Sequence, residues 1–152
     1  MRLVIDTGYL NRLCHPKFHP EMAAWFQQQL ADDAEFVAIV PDIIDYELRR
    51  GYLYSARYER DRQKKQRFVE SLDRLDQLIK GFEYARITAS ILRHAAQLWA
   101  DARGRHQATA DEKSLDIDVI LASFAHDLGA EVLTTNERHL ARYSVKTLSI
   151  GS

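Results

Sequence analysis

The chain of 152 residues has room for one domain and little else. Its 21 Lys and Arg against 22 Asp and Glu leave a net charge of −1, so no overall field draws it to nucleic acid or lipid, and any polyanion-binding surface has to be a local patch. With 46% hydrophobic and 28% charged residues the composition is that of an ordinary globular domain, which excludes disordered and collagen-like chains. The single cysteine, Cys14, cannot close an internal disulfide and suits a reducing cytoplasm. No apolar run approaches the roughly 18–20 residues of a membrane span. Asp6 interrupts the first apolar run after three residues, unlike the long apolar stretch of a secretory leader.

Leu3-Val4-Ile5 is too short for a helix and suited to a buried strand, and it ends at Asp6-Thr7-Gly8. Met22, Trp25, Phe26 and Leu30 then recur at helical spacing. Residues 36–40 predict a second strand, stopped at Pro41-Asp42, a pair expected where a helix starts. Phe68, Leu72, Leu75 and Ile79 mark a helix, and residues 82–87 a weaker strand. Ile91, Ala95, Leu98, Trp99 and Ala102 mark the next helix, followed by a polar stretch, 104–114, that reads as an exposed loop. A helix beginning near Ser114 carries Leu115, Val119, Ala122 and Ala125 on one side. Residues 131–135 predict a strand ending at Asn136, residues 137–143 a short helix, and residues 145–150 a closing strand. Strands alternating with helices imply a single α/β domain over 1–152, with a mostly parallel sheet of four to five strands covered by helices on both faces.

In such sheets the functional crevice lies outside the carboxyl ends of the strands. Asp6 directly follows the first strand, Glu47 lies in the helix after the second, and Asn136 and Glu137 follow the strand at 131–135. Asp118 sits early in the helix that leads into that strand. Carboxylates converging from separate segments repel one another unless a cation lies between them, and oxygen-only ligands suit Mg²⁺ or Mn²⁺. A Cys/His zinc site has no paired ligand spacing to support it. Each residue also has a plainer role open to it. Asp6 can be a turn or cap residue, Asn136 a helix cap, and Asp116 a helix-start charge. Glu47 shares a flank with Ile43 and Ile44 and should point inward, whereas Asp45, about 200° around the helix, should be solvated. Asp118 shares its flank with Leu115, Leu121, Ala122 and Ala125, which places it at a core edge.

The ordered set resembles the motifs of PIN-domain nucleases, most closely in size and style the VapC-type toxins of bacterial toxin–antitoxin pairs. The matching segments are Val4-Ile5-Asp6-Thr7, then Ile44-Asp45-Tyr46-Glu47-Leu48-Arg49-Arg50-Gly51, then Asp118-Val119-Ile120-Leu121-Ala122-Ser123-Phe124-Ala125, and Val132-Leu133-Thr134-Thr135-Asn136. Two positions depart from the pattern: Gly8 stands where relatives often carry Asn or Ser, and His139 where many carry Asp. The resemblance implies a central parallel sheet flanked by helices and Mg²⁺- or Mn²⁺-dependent cleavage of single-stranded RNA. It implies Asp6 and Asp118 as direct metal ligands, and Glu47 as a ligand or as the group that orients the nucleophile. Thr7, Thr135 and Asn136 would be positioning groups, and Asn136 or Glu137 would stand in for the acid missing at His139. It further implies a homodimer and a cognate antitoxin.

Between Arg49 and Arg67 the chain carries eight basic residues against two acidic ones, with Tyr52, Tyr54 and Tyr58 interleaved. Arg49, Arg50, Arg57, Arg60 and Arg62 thus form a candidate surface for RNA or a partner, since neutralised phosphates and stacked bases are how single strands are held without fixed sequence. The competing readings are a solvated helical hairpin for this stretch and, for the whole chain, a housekeeping RNA-processing nuclease or a PIN-like binding module without catalysis. A receiver-type phosphoacceptor is excluded by the lack of a lysine after a suitable strand.

Overall fold

The computed structural model describes residues 1–105 and 116–150. The elements run β1 (Arg2–Ile5), α1 (Thr7–Leu13), α2 (Pro20–Asp32), β2 (Val37–Pro41), α3 (Asp42–Tyr58), α4 (Arg62–Gly81), β3 (Glu83–Ala85), α5 (Ala89–Gly104), α6 (Ile117–Leu128), β4 (Glu131–Leu133), α7 (Glu137–Ala141) and β5 (Thr147–Leu148). The five strands form one sheet in the order β3-β2-β1-β4-β5, and every neighbouring pair is parallel. Leu3, Val4 and Ile5 of the central strand are all fully buried. Successive strand residues point to opposite faces, so both faces of the sheet are covered by helices.

Local chemistry sets the helix ends. Asp6, Asp61, Thr88 and Asp116 each cap a helix N-terminus by accepting a backbone N–H with the side chain. Pro20 opens α2, where its missing N–H costs nothing. Gly129 ends α6 in the left-handed conformation, φ 57°, that glycine adopts freely. Seven consecutive residues of α6, from Val119 to Ala125, are buried, the pattern of a helix enclosed on all sides rather than laid on a surface.

The expected strands and helices form, with differences at the ends. The closing strand shrinks to two residues, and the short helix expected over 137–143 ends at Ala141. Leu30, counted into an apolar face, is 62% exposed near the end of α2, whereas Phe26 one turn earlier is buried against Phe36 and Phe82. Residues 106–115, which hold most of the expected loop and the expected helix start at Ser114, lie outside the described residues. Helix α1 is an element that no apolar periodicity announced. It forms because Asp6 caps it and because Tyr9, Leu10 and Leu13 are buried by the core.

Tyr9 also ties the C-terminal segment to α1: its hydroxyl donates to the carbonyl of Ile150 at 3.1 Å and accepts the Ile150 N–H at 2.8 Å. Tyr9→Phe removes both bonds while keeping the ring. We expect a loss of about 1–2 kcal/mol, read by denaturant unfolding, together with faster hydrogen exchange at the Ile150 amide.

Candidate active site

Starting from β1 at the centre, the chain fills the sheet outward through β2 and β3 on one side and through β4 and β5 on the other. The crevice of such a sheet opens at the carboxyl ends of the strands where the order reverses, here β1 and β4. Asp6 stands at that point. Its N–H extends the ladder by donating to the Leu133 carbonyl at 3.0 Å. Its Oδ1 accepts the Thr7 N–H at 2.7 Å, and its Oδ2 accepts the hydroxyl of Thr134 at 2.6 Å. Thr134, fully buried, in turn accepts the Asn136 N–H at 2.9 Å.

Two further acids come from helices. Glu47, half-buried in the second turn of α3, accepts the Thr7 hydroxyl with Oε2. Asp118, half-buried in the first turn of α6, has Oδ2 3.3 Å from Nδ1 of His139. Asp116 is the α6 cap, accepting the Val119 N–H at 3.2 Å, and it also faces the Tyr143 hydroxyl at 3.5 Å. The acids feel one another. Burial pushes the Asp6 carboxyl above its ordinary range, the charges of Asp118 and Glu47 add to the rise, and the bonds from Thr134 and Thr7 oppose it. Burial likewise raises Asp118, helped by the charges of Asp116 and Glu47 and opposed by His139.

The structure thus gathers Asp6, Thr7, Glu47, Asp116 and Asp118 at one end of the sheet, with Asn136 half-buried beside them. Thr135 and Glu137 are exposed at the rim. Asn136 holds the cap position of α7 but makes no side-chain cap bond. A Cβ on Gly8 would come within 3.2 Å of the Thr135 hydroxyl, a tight contact where α1 passes the end of β4.

Among the five surface arginines, Arg49 is engaged inside the α3–α4 hairpin, paired with Asp45 at 3.0 Å and Asp76 at 2.8 Å. Asp45 is accordingly not the solvated residue expected of it: its side chain is 14% exposed and also accepts the Tyr84 hydroxyl at 3.0 Å. The edge strand β3 covers a helix face that the periodicity of α3 alone left open. Arg50 lies over the Tyr46 ring at 5.2 Å, while Arg57, Arg60 and Arg62 are exposed where α3 turns into α4.

Two contacts escaped the sequence. Thr134, not Thr135, holds Asp6, because the register Ile5↔Leu133 continues to place Asp6 beside Thr134. His139 reaches Asp118 across 21 positions in the chain. Neither pairing leaves a signal in spacing along the sequence; both need the strand register and the α6–α7 packing.

Partly buried carboxylate oxygens from separate elements are the chemistry a hard divalent cation fits. Among the described residues, no three Asp, Glu, His or Cys side chains are already gathered as a ready-made ligand group. Thr7 and Thr134 hold oxygens of Glu47 and Asp6, and His139 lies against Asp118, yet each carboxylate keeps further lone pairs with which it could meet an ion.

The family model of the PIN domain matches residues 3–146, and the chain belongs to that family. Its fold is similar to that of VapBC2 from Rickettsia felis bound to a promoter DNA fragment, with a TM-score of 0.72, 14% identity and coverage of 99% of this chain and 100% of that one. VapBC-1 from nontypeable Haemophilus influenzae is similar at a TM-score of 0.71, 18% identity and 98% coverage of both chains. DNA-bound VapBC from Salmonella typhimurium is similar at 0.71, 16% identity and 98% coverage of both. At these identities the likeness speaks to fold. Compared by sequence with curated proteins, the chain matches none.

The raised carboxyls make a pH-dependent prediction. Asp6 and Asp118 bind a proton more tightly folded than unfolded, so their contribution to stability is complete below the ordinary value of 3.8 and is lost as pH rises through the folded values. Asp118→Asn should therefore raise the Tm of the metal-free protein at neutral pH, by roughly 2–4 °C for each kcal/mol of repulsion relieved, and the gain should shrink towards about pH 4. Thermal unfolding in chelator across pH reads this directly. A lower Tm at neutral pH would make Asp118 a structural partner of His139 instead.

Proposed function

We propose that the protein is a divalent-metal-dependent endoribonuclease acting on single-stranded RNA, and the toxin member of a toxin–antitoxin pair. The observation that carries the chemistry is the meeting of Asp6, Glu47 and Asp118, three acids from three elements at the switch point of the sheet, where burial first and neighbouring carboxylates second raise Asp6 and Asp118. The fold likeness to VapBC proteins supports the toxin reading, with an antitoxin and a second copy of the chain as partners. No described helix is long and apolar enough to cross a membrane, and a cytoplasmic setting suits an RNA substrate.

Asp6, Asp118 and Glu47 would hold Mg²⁺ or Mn²⁺. Bound there, the ion would polarise a phosphodiester oxygen and acidify water. The chain's own part is positioning. Thr134 and the Thr7 N–H fix both oxygens of Asp6, so that its carboxylate plane is set by one side-chain hydroxyl and one backbone N–H. The Thr7 hydroxyl holds one Glu47 oxygen and leaves the other to meet the ion, directly or through a water that it would orient. Asn136, half-buried beside Thr134, is the neutral donor nearest the ends of the strands, and Glu137 is the remaining acid at the rim.

His139 favours one competing reading. It stands against Asp118 where an acid was expected, as in a binding module that has lost catalysis. RNA cleavage with Mg²⁺, Mn²⁺ and chelator decides between them. Asp6→Asn and Asp118→Asn should lower cleavage by roughly 10²–10⁴-fold, equivalent to about 3–5 kcal/mol of barrier, with the fold intact. Asp116→Asn should cost far less, since Asn caps a helix as well as Asp. Inactivity with every divalent ion, reversed by His139→Asp, would establish the binding module.

The α3–α4 junction supplies a second test. Replacing Arg57, Arg60 and Arg62 by Gln leaves Asp6, Glu47 and Asp118 untouched. For single strands it should flatten the log K against log salt slope by about 0.7 per lost phosphate contact, or roughly 2 for all three. An unchanged slope with loss of the dimer in light scattering would assign the junction to protein contacts.

A further inference from the structure

Beside the carboxylates lies an open cavity of about 490 Å³, lined by Thr135, Asn136, Arg138, His139, Arg142 and Ser149, with Glu137 its one acid. Two of its lining residues touch the acidic site. His139 lines the cavity and contacts Asp118, and Asn136 lines it while donating to the same Thr134 hydroxyl that holds Asp6. The charge changes sign across this short boundary: Asp6, Glu47, Asp116 and Asp118 stand on one side, and Arg138 and Arg142 on the other. Among the described residues neither guanidinium makes an ion pair, unlike Arg49, which makes two.

We infer that this cavity is a nucleotide subsite, in which Arg138 and Arg142 hold the RNA phosphate next to the one presented to the carboxylates. The inference rests on the nuclease reading and adds to it the residues that bring substrate in. Four clustered carboxylates repel a polyanion, so attraction has to come from beside them. Guanidinium groups bind phosphate oxygens through paired N–H donors, and unpaired ones give up no existing contact to do so. The volume exceeds what one phosphate fills and lies in the range of pockets that enclose a small ligand, which leaves room for the attached sugar and base. Thr135, Asn136 and Ser149 supply neutral hydrogen-bonding groups along the wall. His139 in this position keeps a carboxylate out of the phosphate path and gives Asp118 a partner. The five-residue α7 carries Arg138 and His139, and buried Leu140 anchors it to the core, so the wall is held rather than free.

The test uses the full chain and a fluorescein-labelled, mixed-sequence single-stranded RNA of about 12 nucleotides, a length within the usual range of single-strand sites. Binding is followed by anisotropy in chelator across a salt series, and cleavage of the same pool is followed with Mn²⁺. Replacing Arg138 and Arg142 together by Gln should weaken binding at least about tenfold and flatten the salt slope by about 1.4, two contacts at 0.7 each. KM should rise while kcat changes much less, and the Lys pair at the same positions should recover most of the slope while recovering less of the affinity. Circular dichroism checks the fold of each variant; should the Gln pair not fold, each single Arg→Gln variant should flatten the slope by about 0.7. Wild-type binding and cleavage with a slope unmoved by the Gln substitutions overturn the subsite and leave the nuclease reading standing. RNA binding that depends on these arginines, with no cleavage in any divalent ion, supports the subsite and sinks the catalytic reading. Absence of both binding and cleavage overturns both.

Discussion

The parallel pairing of β1 with β4 is the constraint on which the rest of the molecule depends. One step beyond Ile5↔Leu133, the ladder sets Asp6 beside Thr134, and the Thr134 hydroxyl closes on the carboxylate. The same aspartate caps α1, so the strand ends and the helix begins at one residue. Thr7, the next residue, reaches α3 through Glu47. A central strand, two helices and the neighbouring strand are thus joined within two consecutive residues. Slipping that register by one position would turn Leu3, Val4 and Ile5 to the wrong faces and also separate the acids.

This arrangement carries an internal tension. Burial first and neighbouring charge second raise the proton affinity of Asp6 and Asp118, which destabilises the fold at neutral pH. What holds the carboxylates is local: one hydroxyl and one N–H on Asp6, a hydroxyl on Glu47, and an imidazole on Asp118. What tolerates them is the enclosed α6 and the fully buried strands beneath. Charge and core packing therefore sit at opposite ends of α6. The N-terminal turn of α6 presents charge, and its next seven residues fill the core.

Charge is sorted rather than balanced. A chain of net charge −1 concentrates acids at the strand ends, leaves basic groups at the α3–α4 junction and along α7, and ties Arg49 down inside the hairpin. Where a basic residue is paired, as Arg49 is, it fixes the hairpin that carries Glu47. Where it is exposed and makes no ion pair among the described residues, as Arg57, Arg60 and Arg62 are, its charge faces solvent. Counting basic residues in the stretch from Arg49 to Arg67 treats both kinds alike, and their partners in space separate them.

Sequence alone determined the alternation of strands and helices, because short fully apolar runs and 3.6-residue periodicity are local properties. It also singled out Asp6, Glu47 and Asp118, since acids at strand ends and on the inward flank of helices stand out against their neighbours. It was silent on α1, which owes its formation to a cap and to burial rather than to a long apolar stripe. It misjudged Asp45, whose exposure depended on whether β3 would pair alongside β2 and bring Tyr84 across. Thr134 and His139 became part of the site only when β4 took its register and α7 folded against α6. Identity and spacing belong to the chain, but which hydroxyl meets which carboxylate is decided by strand register and helix packing, interactions between residues more than a hundred positions apart for Asp6 and Thr134.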